Sequence, residues 1–428
     1  MPTDAPAIDP MPPVAGFRLP WDDAGAPDPV VALRAAREEL GDTFVVDSGR
    51  DRMLFVFAPE SVRELYALPE SVASKGLADY RMLLRKLPRE LFADRRTFAH
   101  DLFGSQDVEG YLGHLDVAIS RQLDELGGAG TFEVFALARR LGHRLALGCW
   151  MGDAAAAPPL LDELITDFEA LDGADAFVHP ERGAAAGSDR AAERDALGRV
   201  EGVVGRLLAA GAPDDGFLAE IGRRWADTTG ATRAAGVAGD VVLLHVATMT
   251  NLFAALGWTL ALVLLHPDVH ARITDGDDAR LERSVLESVR LGQRSIMMRT
   301  LLAPCTVRDA TTTYELPPGI VLATMVPLTN TTAAPGLDGF DPDRWDGRKL
   351  RDEGALPARE LVVTFGHGPH RCPAQRFSLS AIGRAVRALV DAYELVPSFD
   401  SVRPLPLQIG GVARAADPCP VAYLARST

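Results

Sequence analysis

The chain has 428 residues, with 44 Lys+Arg against 59 Asp+Glu, a formal net charge of −15 and 47% hydrophobic residues. That apolar content is too high for a disordered chain, and the length is enough to bury a large core without disulfides or structural metal. The acidic balance argues against nucleic-acid partners and against a polybasic membrane anchor.

Residues 1–29 are rich in Pro and read as an extended arm. No basic stretch followed by an apolar run marks a secretory signal, so a cytoplasmic location is expected. Helical periodicity begins at Pro29 and runs to a stop at Gly41. Two β-like runs, TFVVDSG and RMLFVFA, predict a hairpin turning at Ser48–Asp51. From Pro59 to about Ala170 the pattern is helical, with breaks expected at Gly104, Gly110 and Gly127–Gly130. Residues 171–240 predict helices joined by loops, least regular over 173–189. Val241–Leu265 is the longest apolar stretch and is long enough to span a bilayer. His245, Thr248, Thr250 and Asn251 interrupt its middle and no second span accompanies it. It therefore reads as the central helix of a large helical core, with no membrane anchor expected. A helix starts at Pro267 and another covers about Ala279–Leu291. Thr300–Val307, Thr311–Leu316 and Ile320–Met325 predict short strands around Pro317-Pro318-Gly319. A last strong helix is expected over Ala374–Tyr393, before a strand-like, turn-rich end. With no repeat and no linker between two cores, the expected fold class is mainly α with a smaller β portion, in a single domain over 1–428.

Cys149, Cys305, Cys372 and Cys419 are scattered, without the spacings of a disulfide framework or a zinc site. Cys372 has distinctive surroundings. It stands in FGHGPHRCPAQ, residues 365–375, where a glycine-rich loop presents a cysteine directly before a helix. A helix N-terminus offers positive potential and free N–H groups that stabilise a thiolate and lower its pKa. Glycines let the backbone pass close beneath a flat ligand. A thiolate held this way can be the axial ligand of haem iron, whereas an isolated cysteine would read as a buried, inert thiol.

This segment resembles the haem-binding signature of the cytochrome P-450 family, F-x-x-G-x-H-x-C-x-G. Phe365, Gly368, His370 and Cys372 match, and Ala374 stands where the pattern has Gly. Glu287-Ser288-Val289-Arg290 is similar to the family's E-x-x-R, and Phe340–Trp345, FDPDRW, to its F-x-P-x-R-F/W segment, in the family's order over roughly residues 30–428. The resemblance implies the cytochrome P-450 fold around haem b, with Cys372 as the iron ligand and Phe365, Gly366 and Ala247 against the haem. It implies that Glu287, Arg290 and Arg344 form a buried network locking the loop. It also implies that Arg299 and His370 meet the haem propionates, with Arg96 as a further cation; Arg95 and His100 compete for that last role.

In the family the central helix crosses the distal face of the haem, and monooxygenases carry A-G-x-D/E-T there. Registering from Trp258 and His266-Pro267 places Thr250 at the acid position and Asn251 at the alcohol position, within Ala247-Thr248-Met249-Thr250-Asn251. Neither side chain offers a readily ionised proton. Each can hold a water or a polar substrate atom, or merely satisfy a bend. NLFAALGW, residues 251–258, is similar to a subgroup containing prostacyclin synthase and cholesterol 7α-hydroxylase, an isomerase and a monooxygenase. Three readings stay open. One is a monooxygenase that oxidises a medium-sized, largely apolar small molecule with dioxygen and electrons from a ferredoxin-type partner. Another is a haem-thiolate isomerase, dehydratase or peroxide-using enzyme. The third is a non-catalytic haem protein. Segments 77–91, 242–251, 300–303 and 409–412 are expected to face the substrate, with His245 facing either the pocket or the core. Arg344, Arg348, Lys349, Arg351, Arg371 and Arg376 are candidates for docking the electron donor.

Overall fold

The structure, a computed structural model, describes residues 7–347 and 356–427, apart from 22, 24, 48–50, 86, 172–189 and 212–215. Helix α1 (Pro29–Leu40) starts with Pro at its first position and is capped by Asp28, which accepts the Val30 N–H at 2.9 Å. Strands β1 (Thr43–Asp47) and β2 (Arg52–Val56) pair antiparallel from Thr43↔Val56 to Asp47↔Arg52, as the sequence predicts; Ser48–Arg50 lie outside the described residues. The N-terminal arm is pinned to two sheets: Val14 bridges Val45 of β1, Asp9 bridges Glu315 in a separate pair of strands, and Leu19 is fully buried. Helix α2 (Pro59–Ala67) leads to β3 (Ala73–Ser74), α3 (Lys75–Leu83) and a single turn, α4 (Ala99–Leu102).

Helix α5 (Ser105–Leu126) runs through Gly110, so the expected break there is absent. One interior glycine weakens a helix by only about 1 kcal/mol, which 22 residues absorb. Gly127, at φ +70°, ends it. Next comes strand β4 (Ala129–Glu133), unanticipated because its partner β10 (Pro420–Ala425), which pairs in turn with β9 (Tyr393–Pro397), lies almost 300 residues away. Helices α6 (Val134–Met151), α7 (Leu160–Leu171), α8 (Ala191–Ala209) and α9 (Phe217–Arg224) come after it, and residues 173–189 lie outside the described residues.

The central apolar stretch forms two helices, α10 (Gly230–Met249) and α11 (Leu252–Leu265), interrupted at Thr250–Asn251. Every residue from Leu252 to Leu264 is buried, as expected of a helix apolar on all sides. Gly230–Leu265 is, among the described residues, the one helical span long and apolar enough to cross a membrane, and 78% of that window is buried in the protein. After α12 (Pro267–Thr274) and α13 (Asp278–Gly292), β5 (Ile296–Leu301) and β6 (Cys305–Arg308) divide the strand expected over Thr300–Val307. Pro304 between them has no N–H to continue a ladder. Strand β7 (Thr313–Leu316) pairs with β6, and β8 (Val321–Met325) completes a sheet ordered β1-β2-β8-β5-β3. A short helix, α14 (Val326–Thr332), and the long α15 (Gln375–Ala392) complete the helices.

Candidate active site

A cavity of about 490 Å³ lies between the central helix pair and the loop before α15. Leu243, Leu244, Val246, Ala247, Thr250 and Asn251 form one wall, and Phe365, Gly366, His370 and Cys372–Ala374 line it from the loop. Met82, Leu83 and Leu87 from the α3 region and Ile409–Val412 from a C-terminal loop contribute as expected. Thr300–Ala303 do not; β5 presents its first residues, Ile296 and Met297, instead. His245 also does not line the cavity. It is fully buried, its Nε2 3.1 Å from His143 Nδ1 and its ring 4.1 Å from that of Phe168.

The loop is closed by its own backbone: Cys372 N–H donates to the Phe365 carbonyl at 2.6 Å. Gly366 has φ +80°, and a Cβ there would stand 2.6 Å from the His370 carbonyl oxygen, so only glycine fits. Burial pushes the Cys372 thiol up, against the Ala374 N–H and Arg371, which pull it down. The net direction is the reverse of the lowering expected from the helix end. A soft sulfur donor in a close-packed glycine loop, opposite a largely apolar wall, fits haem.

His370 Nε2 lies 3.7 Å from Glu70, and Lys75 and Tyr66 line the cavity with it. Burial, then Arg299, pulls His370 down. Arg299 is fully buried behind this edge. Its guanidinium donates to the carbonyls of Leu65 (3.0 Å), Leu68 (2.6 Å) and Ala73 and to Glu70 (3.3 Å), while its Nε has no partner. Arg96 is a correction. It pairs with Asp227, donates to the Arg224 carbonyl and lies over the Trp225 ring at 4.2 Å, outside the cavity lining. Its competitors are no closer to the role, for Arg95 lies 4.0 Å from Asp240 and His100 is outside the lining too.

Beneath the loop, Glu287 is fully buried and accepts Arg290 twice, at 2.7 and 2.8 Å, and Arg344 at 3.2 Å. Sequence reasoning missed two members. Trp345 Nε1 donates to Glu287 at 2.9 Å, and Asn330 joins the network to the loop. The Asn330 amide donates to the carbonyls of Arg290 (2.9 Å) and Val363 (2.8 Å) and accepts the Val363 N–H at 2.6 Å. Trp345 stood in the FDPDRW segment; nothing local marks Asn330. Of the docking candidates, Arg344 is committed to Glu287, Arg371 and Arg376 are exposed, and Arg348, Lys349 and Arg351 lie outside the described residues.

At the helix interruption, Thr250 Oγ1 donates to the Val246 carbonyl and Asn251 Nδ2 to the Ala247 carbonyl, each at 2.9 Å. Asn251 leaves helical geometry, at φ −122° and ψ −62°, and is exposed to the cavity. A second cleft of about 410 Å³, with Glu133, Arg139, Arg414 and Asp417 among its walls, reaches Thr250 and Val412, which line both spaces.

No protein-family model matches the chain. It is 22% identical to mouse 24-hydroxycholesterol 7-alpha-hydroxylase over 97% of this chain and 93% of that one. The match to the human enzyme of the same name is 26% identical and spans 43% of each chain. Among solved structures, CYP175A1 of Thermus thermophilus superposes with a TM-score of 0.67 at 21% identity, over 94% of this chain and 95% of that one. A cyanobacterial CYP120A1 with bound retinoic acid superposes with a TM-score of 0.72 at 16% identity, over 97% and 100%. Both have the cytochrome P-450 fold. This chain shares that fold, and the curated relatives it is similar to are hydroxylases.

Proposed function

We propose that this enzyme is a haem-thiolate monooxygenase acting on a medium-sized, largely apolar small molecule, with Cys372 as the iron ligand and haem b as its cofactor. The observation that carries the reading is one cavity bounded by Cys372 in its glycine loop and by Asn251 at the helix break, with mostly apolar residues between. When bound, the haem supplies dioxygen activation and transfer of one oxygen atom to the substrate. Phe365 and Gly366 line the cavity on the side of Cys372 and Ala247 lines the opposite wall; His370 would meet propionate charge, with Arg299 behind it, outside the lining and bonded to the carbonyls of Leu65, Leu68 and Ala73 and to Glu70. Thr250 and Asn251 already donate to carbonyls of the preceding turn, so their side-chain oxygens are left to accept from ordered water, which must bring the protons. The cleft reaching Thr250 offers such water a route. Arg371 and Arg376 would meet an acidic ferredoxin-type donor. The relatives named for 24-hydroxycholesterol make a hydroxylated sterol or similar ring system the first substrate class to try. We place the enzyme in the cytoplasm, as one haem-enclosing domain.

Reduced protein with carbon monoxide is expected to give the red-shifted Soret band of thiolate-ligated haem, and Cys372→His to lose it. Retention of that band by Cys372→His would exclude Cys372 as the ligand. A second reading, an isomerase or dehydratase, is favoured by the absence of a carboxylate at Thr250. Product formed without dioxygen or reductant would establish it; label from dioxygen in the product would exclude it.

A further inference from the structure

We propose that Gly411 is a positioning residue for the distal side of the cavity, holding Thr250 and Asn251 where the central helix breaks. Residues 408–413 form a strap pressed on that break. The Thr250 carbonyl accepts the Val412 N–H at 3.3 Å. Gly411 has φ +63°, and a Cβ on it would lie 2.5 Å from the Thr250 carbonyl oxygen, 2.6 Å from Thr250 Cγ2 and 3.4 Å from Asn251 Oδ1. Contacts near 2.5 Å are not tolerated without movement of the backbone, so this approach exists only because residue 411 has no side chain.

The strap cannot easily retreat, because its other edge is bonded to the residues at the end of α13. Arg294 N–H donates to the Gly411 carbonyl (2.8 Å), Gly410 N–H to the Arg294 carbonyl (2.9 Å) and Ala413 N–H to the Gly292 carbonyl (2.7 Å). Trp258, nearly two turns into α11, donates to the Ala413 carbonyl at 2.6 Å. The break is thereby fixed relative to the helix that carries Glu287 and Arg290. A side chain at 411 would displace Thr250 and Asn251 rather than the strap.

Gly410 provides a matched control. Its φ of +96° disfavours any side chain, yet a Cβ there meets nothing within 4 Å. Gly410→Ala and Gly411→Ala therefore share backbone strain, and only the second intrudes on Thr250. In the full chain, hydrogen exchange of the amides over 246–255 is expected to be at least tenfold faster in Gly411→Ala than in Gly410→Ala. In haem-loaded ferric protein, the dissociation constant for imidazole, read from the Soret shift, is expected to change at least fivefold in Gly411→Ala relative to wild type. Adding Thr250→Ser to Gly411→Ala removes the Cγ2 contact and should recover part of both effects; if Gly411→Ala alone yields no folded protein, it should recover folded protein. Equal exchange in the two alanine variants, wild-type imidazole affinity in Gly411→Ala, or no recovery with Thr250→Ser, would overturn the assignment. The imidazole readout rests on the haem reading above. If wild-type protein binds no haem, that reading fails, while the exchange contrast still decides the role of Gly411.

Discussion

The two walls of the cavity are held by different means. Under the loop that carries Cys372, one fully buried carboxylate, Glu287, collects Arg290, Arg344, Trp345 Nε1 and the Asp341 N–H. Across the cavity, the break at Thr250–Asn251 is held by main-chain bonds and by the close approach of Gly411. A buried charge network is only as sound as its least replaceable member, because removing one partner strands the others. A backbone strap demands a glycine in one place and leaves neighbouring side chains free to vary. The proximal wall should therefore be intolerant of substitution, and the distal wall should change its chemistry while keeping its fold.

The sharpest break of this contrast is Glu287→Ala. It leaves the fully buried Arg290 and the partly buried Arg344 without this carboxylate, at an expected cost of about 3–5 kcal/mol, with loss of haem retention. Normal haem content and an unchanged melting temperature would sink the idea of a single unit. Asn330→Ala comes next. It strands the buried Val363 N–H and two carbonyls, and about 1–3 kcal/mol per unsatisfied group predicts a lowered melting temperature with a loosened loop. If hydrogen exchange around Val363 is unaltered, Asn330 does not join the network to the loop. Asn251→Ala should behave oppositely. Its stability is expected within about 1 kcal/mol of wild type, since one exposed hydrogen bond is lost. In the monooxygenase reading the product formed per electron consumed should fall. A large stability loss with unchanged coupling would reverse the contrast between the walls.

The same difference decides what the sequence can tell. Cys372, Glu287, Arg290 and Arg344 stand in short patterns whose spacing is itself the structural requirement, so they are legible locally. Asn330 and Gly411 act across 33 and about 160 residues of chain, through bonds to Val363 and a contact with Thr250 that no local pattern encodes. Arg96 defeats the sequence reading because it lies in the non-helical stretch before α4, not on a helix, and there Asp227 and the Trp225 ring claim its guanidinium. For His245 the sequence leaves pocket and core both open, and the core side holds because His143 and Phe168 meet it behind the central helix. Strand β4 is illegible for the reason Asn330 is: its pairing partner lies at the far end of the chain.

The smallest expected effect lies behind the distal wall, where charge does enter. Glu169 on α7 pairs with Arg139 at 2.5 Å and lies 3.8 Å from His143 Nε2, and His143 in turn meets the buried His245. The His143 imidazole, opposed by burial and helped by Arg139, holds the Glu169 carboxyl down to about 2 against an ordinary 4.5. Because the folded pKa is the lower one, the carboxylate's contribution is complete above about pH 4.5 and is lost as pH falls towards about 2. Glu169 is 42% exposed, so solvent screening limits the contribution to below about 1 kcal/mol. Burial drives His245 well below its usual range. Urea unfolding of wild type and Glu169→Gln at pH 7, 4.5 and 3 should therefore give stability curves that are separated at pH 7 and converge on acidification. Curves that stay parallel from pH 7 to 3 would mean that the ionisation of Glu169 makes no net contribution to stability.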